Sequence, residues 1–461
     1  MNVTTLPAPT PAATGRPRAR VAAPMPWWKV EAKLLMKPRT MLMGLLLLTY
    51  VWRFHDLSGL IAPLRLAAIA TVGSWLYLLS FQRFNHFLKM LTRPGVIAVI
   101  LGVLWSGAMV PFALNPDIAW STWWGTHFKT LTMFLFLLTC FTTFHNVKQA
   151  MAAHIFGAAV LAFFYAKGGF ALWGSPVTMY DVNDMAMHLN MALPFVLFFA
   201  IRAPRGYLRI FLWCILALLT ICALMTQSRG AFLTVGLLTG IILVSASGIK
   251  LWIRMLPPIL VALGFAFSPP ATKERLSTLF NPTEDYNVDD EAGRLEIWKR
   301  AYGYTMANPV TGVGITNFPV AEYVLAPQAQ ARQPGWRPKA AHNIFVEIGT
   351  ETGFPGLLLF VTMLVAPLAR LVRIRSRAKK HLRGTPLGDE VALAAEVLAL
   401  SMLAYCVGGF FLSMAYAPVI YSVIAMVAGF DLCTSRIFPK RGAAGARRPT
   451  ARYADRTLEV A

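Results

Sequence analysis

Charged residues are scarce in this chain. Only 14% of its 461 residues are Asp, Glu, Lys or Arg, where a soluble domain carries roughly 25%. A soluble globular fold is therefore excluded. Cysteine is also sparse. The five residues (Cys140, Cys214, Cys222, Cys406 and Cys433) lie in or beside apolar runs without paired spacing. They supply neither a disulfide framework nor a zinc signature. No repeat of 20–50 residues is visible, and no signal peptide opens the chain. Residues 1–39 are rich in Pro, Ala and Arg and read as a disordered basic cytoplasmic tail.

What the chain has instead is apolar length. Hydrophobic residues make up 56% of it, and mean hydropathy is +0.55. The expected fold is all-α, a polytopic membrane bundle of about 12 helices. The candidate spans are roughly 41–52, 60–80, 94–114, 129–144, 149–166, 186–201, 208–225, 230–247, 251–268, 353–372, 391–412 and 418–435. Each is judged against the 20 or so residues a helix needs to cross a bilayer. The first is short enough to be half-inserted or paired with the second. The Trp-rich stretch before Lys129 reads as an interfacial belt.

The formal net charge of +22 would suggest nucleic acid in a soluble protein. Here its distribution argues otherwise. With the N-terminus placed in the cytoplasm, most of the 43 Lys and Arg fall on that side and most of the 21 acids elsewhere. This is the positive-inside pattern, with both termini cytoplasmic. No nucleic-acid partner is expected; the basic tails, including 436–461, are orientation signals and contacts to anionic membrane lipids. Residues 40–435 form the bundle, and 269–341 is one large loop on the opposite, non-cytoplasmic face. Within that loop, Asp289 or Asp290 is placed to cap a helix. Leu295, Trp298 and Tyr302 then recur at amphipathic spacing up to a stop at Pro309. The loop is expected to be a helical lid over residues 291–307.

Three residues collect on that face. Arg229 lies in a short polar turn, Gln227-Ser228-Arg229-Gly230, that opens a helix. A helix N-terminus with several donors favours anions; the alternative is a snorkelling interfacial arginine. Arg294 lies in the lid helix, where a solvated position or a pair with Asp290 or Glu291 is the plainer reading. His342 stands at the exit of the lid, followed by Asn343. An ordinary histidine pKa near 6.5 makes it the natural base at neutral pH, against a purely structural histidine. No metal-binding spacing surrounds it. Glu347 and Glu351 would converge on a metal only through a bent segment, so neither metal nor cofactor is expected. Asp181, Asn183 and Asp184 precede the sixth span, either as a helix cap or as groups of which one binds acceptor hydroxyls or pairs with a site arginine. Lys129 and Lys167 are secondary phosphate candidates.

The stretch HNIFVEIGTETGFPG, with His342, Asn343, Gly353 and Gly356, resembles the signature of the bacterial O-antigen ligase family. SRGA (Ser228 to Ala231) and GRLEIWKRAY…NPVTGVGITNF (Gly293 to Phe318) are similar to the same superfamily, which also holds O-antigen polymerases. DVNDMAMHLNMALPF (Asp181 to Phe195) is similar to ligase-like proteins found beside exosortase systems. The resemblance covers roughly residues 40–435. It implies an inner-membrane glycosyltransferase of the lipid-donor, GT-C-like type with a periplasmic site. The implied donor is a glycan on undecaprenyl diphosphate, and the implied acceptor is a sugar hydroxyl of lipid A-core. On this view Arg229 and Arg294 hold the diphosphate and His342 is the base, with Gln227, Ser228, Asn343, Asn183, Asp184, Lys129 and Lys167 in support. A polymerase or a protein O-oligosaccharyltransferase shares the donor and stays open as an alternative. A lipid-linked glycan transporter would instead want broken helices near the midplane.

Overall fold

The computed structural model describes residues 37–56, 64–80, 84–168, 181–245, 293–326 and 339–438, with 251, 254, 255, 258, 259, 262 and 266. Among these every regular element is helical. In chain order they are α1 (Pro38–Leu46), α2 (Leu66–Leu79), α3 (Phe84–Leu91), α4 (Val96–Ala108), α5 (Pro116–Thr122), α6 (Phe128–Cys140), α7 (Phe144–Gly168), α8 (Val182–Arg202), α9 (Tyr207–Met225), α10 (Arg229–Ser245), α11 (Arg294–Ala307), α12 (Phe318–Val324), α13 (Ile344–His381), α14 (Pro386–Gly409) and α15 (Pro418–Ser435).

Helix starts are written in the sequence. Asp181 accepts the Asn183 and Asp184 amides at 2.7 and 2.8 Å and so caps α8. Asn343 accepts those of Phe345 and Val346 at 2.9 and 3.2 Å and caps α13. Thr385 accepts the Gly388 amide at 3.0 Å ahead of α14. Each side chain satisfies donors that have no intrahelical partner.

Six helices are long and apolar enough to cross a membrane: α7 (through Ala166), α8, α9, α13, α14 and α15. The chain is thus a multi-pass helical membrane protein. The expectation of twelve spans is not reached among the described residues. The run at 94–114 begins at a sharp bend: α3 and α4 together would suffice, but they meet at 84°. α1, with its continuation to Val51, α2 and α10 are shorter apolar helices. The run at 129–144 yields only the 13 residues of α6. Most of 251–268 lies outside the described residues, as do most of tails 1–39 and 436–461 and loop residues 269–292 and 327–338.

Burial ranks the helices. The apolar windows of α15 and α8 are 89% and 83% buried, so these two are the central pillars, while that of α9 is 39% buried. The apolar side chains it exposes, such as Ile210, Phe211 and Ile221, suit a hydrocarbon neighbour. At one end of the bundle, ion pairs gather basic side chains onto few acids. Arg93 and Arg370 share Asp431, Lys148 and Arg202 share Glu390, and Arg375 meets Glu396. The other end carries the first residues of α8, α10 and α13, and the loop from α14 to α15.

Candidate functional site

Helix α13 breaks its own ladder at Gly353, whose φ is 68°. Pro355 has no N–H, so the Glu351 carbonyl cannot receive its usual helical donor; the Gly314 amide fills it at 3.0 Å. Val313 donates to the Thr350 carbonyl at 2.9 Å, and the Phe354 amide turns instead to Pro309 at 2.8 Å. A loop, 309–318, is thereby stitched across the kink. The crossing is too close for side chains. A Cβ on Gly353 would stand 2.4 Å from the Val310 carbonyl oxygen, and one on Gly312 2.4 Å from the Glu351 carbonyl carbon. The TGVG and TETGFPG motifs are two halves of one backbone contact.

Glu351 completes the stitching. Its carboxylate accepts the Thr316 amide at 2.8 Å, the Phe318 amide at 3.1 Å and the Tyr416 hydroxyl at 2.7 Å. Glu347, one turn earlier, accepts the Ala415 amide at 3.1 Å. Both glutamates are buried. They anchor the 410–417 loop to the first turns of α13.

That loop is what brings the candidate residues together. The His342 amide donates to Ser413 Oγ at 2.8 Å. The Arg294 guanidinium lies 5.7 Å from the centre of the Phe411 ring, within cation–π range. A Cβ on Gly230, next to Arg229, would stand 3.2 Å from the same ring. Trp298 of α11 packs edge-on against Phe410 at 5.5 Å and donates its indole N–H to the Ala341 carbonyl at 2.9 Å. Phe411 and Ser413 are two residues apart, so the Arg229 turn, Arg294 and His342 meet around one short loop. Both His342 and Gln227 hold a left-handed backbone, with φ of 48° and 56°. Such conformations cost on the order of 1–3 kcal/mol in non-glycine residues and persist where packing imposes them.

His342 is half-buried. Burial lowers its pKa below the ordinary histidine value, with the positive charges of Arg294 and Lys339 acting in the same direction and Asp181 opposing them. The imidazole is therefore neutral at neutral pH and able to accept a proton. Asp181 and Arg294 both lie close enough to act on it electrostatically.

The remaining candidates separate. Asn343 is buried and spends its side-chain oxygen on the α13 cap. Ser228 is buried beside Gln227, its amide on the Thr226 hydroxyl at 3.3 Å. Asp181 is the α8 cap, with Asn183 and Asp184 in the first turn. Asp184 interacts electrostatically with Glu347, so the start of α8 adjoins the glutamates of α13. Lys129 is exposed at the start of α6. Lys167 belongs to α7, and its side chain lies outside the described residues.

α11 is a helix, as the amphipathic spacing predicts, but its buried face is Ile297, Ala301, Tyr304 and Thr305. Leu295 and Tyr302 are exposed, and of the expected stripe Trp298 alone makes a described contact. The cap at Gly293 uses no side chain, and Asp289 and Asp290 fall outside the described residues. Arg300 pairs with Glu322 of α12 through two bonds of 3.0 and 2.7 Å, joined by the Tyr304 hydroxyl at 3.0 Å. Sequence reasoning missed this pair, and with it Phe411, Ser413 and the anchoring role of Glu347 and Glu351.

Below Arg229, α10 shares a narrow apolar cavity of about 30 Å³ with α8 and α9. Val235, Leu238, Thr239 and Ile242 line it at the spacing of one helix face, opposite Pro194, Leu197 and Leu216.

Residues 214–361 match the family model described as O-Antigen ligase. The match runs from within α9, across the Arg229 turn, α11 and the 309–318 loop, to just past the Gly353 kink. No curated protein matches the chain.

Proposed function

We propose that the chain is a member of the O-antigen ligase family, whose model it matches over residues 214–361, and that it is a periplasmic glycosyltransferase. It moves a glycan from undecaprenyl diphosphate to a sugar hydroxyl of lipid A-core. The observation that carries the proposal is the convergence of the Arg229 turn, Arg294 and His342 on Phe411 and Ser413. A cation pair beside a neutral, half-buried imidazole is what this chemistry requires.

In the proposed reaction, the acceptor hydroxyl gives its proton to the His342 ring. Its oxygen forms a bond to the anomeric carbon of the donor sugar. The bond from that carbon to the diphosphate oxygen breaks, and the electron pair leaves with undecaprenyl diphosphate. Two guanidiniums aimed at the diphosphate stabilise the charge as it grows. One displacement inverts the anomeric centre. The polyprenyl tail runs along the apolar faces of α8, α9 and α10 that meet below Arg229. α11, α12 and the 309–318 loop act as a lid, and a GT-C-like layout accommodates a donor that arrives sideways from the bilayer. The positive-inside count supports a periplasmic position for this end.

The test uses purified protein with a defined polyprenyl-diphosphate glycan and three acceptors: core lipid, free glycan and peptide. Transfer to core lipid in the presence of EDTA, with inversion, is the expected result. Transfer to glycan or peptide alone would replace the acceptor. A retained linkage would overturn His342 as a simple base.

A further inference from the structure

At the end of the bundle opposite His342, the last residues of α8, the last turn of α13 and the first turns of α14 enclose a second, larger cavity. Its volume is about 530 Å³, and it is open to solvent. Its wall has two chemical halves. Ile201, Ala392 and Leu393 make one side apolar, while Arg202, Lys379 and Arg383 face it with cationic groups.

The acids nearby are mostly spent. Glu396 is held by Arg375 at 3.1 Å, and Glu390 is shared by Lys148 and Arg202 at 3.2 Å each. Asp389 is the remaining carboxylate in the lining. Lys379 and Arg383 form no ion pair among the described residues; Arg375 and Arg254 add positive charge close to Lys379, and Glu396 in the lining partly offsets it. The cavity therefore keeps a positive excess next to an apolar wall. It lies among the ends of α8, α13 and α14, each long and apolar enough to cross a membrane, at the end of the bundle that the positive-inside pattern assigns to the cytoplasmic headgroup region.

We propose that this cavity is a binding site for an anionic glycerophospholipid. The phosphate sits on Lys379 and Arg383, and an acyl chain lies along Ile201, Ala392 and Leu393. A free phosphate would leave the apolar wall unused. The chain's own termini, residues 1–36 and 439–461, are themselves basic and are repelled by the same charges. A zwitterionic lipid brings its own cation to a site already rich in them. The bound lipid ties together α8, α13 and α14, whose opposite ends carry Asp181, His342 and the 410–417 loop.

The experiment needs no glycan donor, so its outcome is independent of the transfer reaction. The full chain is purified from membranes, and retained lipid is counted by native mass spectrometry after exchange into phosphatidylglycerol or phosphatidylcholine. The expected result is selective retention of phosphatidylglycerol. Lys379→Ala with Arg383→Ala should weaken it roughly 30-fold, from the usual contribution of two basic residues at an anionic surface. Arg373→Ala with Arg377→Ala removes the same charge from exposed positions of α13 outside the cavity and should leave retention intact. Equal loss in both pairs would reduce the effect to bulk attraction and overturn the site. So would unchanged retention in the first pair, or equal retention of phosphatidylcholine. Displacement of the lipid by millimolar inorganic phosphate would show a phosphate site and overturn the lipid assignment.

Discussion

Replacing Gly353 by alanine tests the backbone crossing on which the site rests. Two costs add. Alanine at φ 68°, ψ −175°, a conformation essentially confined to glycine, costs about 1–3 kcal/mol. The new Cβ would stand 2.4 Å from the Val310 oxygen and 2.7 Å from the Pro309 oxygen. Both are backbone atoms, so the loop must retreat by about 1 Å to reach ordinary contact. That retreat strains the Phe354–Pro309 and Val313–Thr350 bonds of 2.8 and 2.9 Å, and a buried group left unsatisfied costs about 1–3 kcal/mol. The expected total is about 2–6 kcal/mol, read as a lowered thermal midpoint in detergent and a loss of transfer. Gly312→Ala attacks the same crossing from the other side, so the double variant should cost less than the sum of the two. Gly303→Ala supplies the opposite sign. It is exposed in the middle of α11 with nothing within 4 Å of an added Cβ, and helix propensity favours alanine by up to about 1 kcal/mol. A Gly353→Ala protein with wild-type midpoint and activity would refute the crossing as described.

His342→Ala should keep donor binding and lower transfer roughly 10²- to 10⁴-fold, the usual worth of general-base help; full activity in this variant would remove the base assignment. Arg229→Ala and Arg294→Ala should each weaken donor binding as well as transfer, measured by equilibrium binding of the lipid-diphosphate donor. Lysine at either position should rescue only in part, because an ammonium lacks the planar two-donor contact. The acid limb of the pH–rate profile should lie below the ordinary histidine value of about 6.5, since burial and nearby cations disfavour the protonated ring. Asp181→Asn should move that limb further down and Lys339→Ala should move it up; shifts of the opposite sign would dissociate it from His342. Glu322→Ala strands Arg300 beside a fully buried position. It should destabilise the α11–α12 unit by about 3–5 kcal/mol, seen as faster proteolysis of that segment.

Hydropathy located the long helices because burial in lipid demands apolar length, and α7, α8, α9, α13, α14 and α15 stand close to the runs that predict them. Composition does not encode direction, however. The run at 94–114 reads as a single span, yet its helix α4 has only 13 residues, and the chain bends by 84° at its start, where Gly95 takes a left-handed φ of 82° against Pro367. The amphipathic reading of α11, with Leu295, Trp298 and Tyr302 toward the protein or the bilayer, located the helix but not its buried face. Beside a membrane, Leu295 and Tyr302 can remain apolar while exposed, so spacing alone does not say which face packs. The face that does pack includes Thr305, which bonds within the bundle to Thr350 at 3.3 Å.

The candidate site was legible only as polar islands: Arg229, Arg294 and His342 stand out because charge near hydrocarbon needs a reason. What joins them was not legible. The 410–417 loop contains no charged residue, and its contributions are a phenyl ring, a serine hydroxyl, a backbone amide and a phenol. None of these announces itself in a sequence. Glu347 and Glu351 drew notice as carboxylates that a bend might bring onto a metal. The bend exists, but at Gly353, beyond both of them, so they keep helical i, i+4 spacing and share one face. From that face each reaches a different stretch of the 410–417 loop, Glu347 the Ala415 amide and Glu351 the Tyr416 hydroxyl. A carboxylate pair that looked chemical is thus a double anchor, and the loop it fixes is the one on which His342 and Arg294 rest.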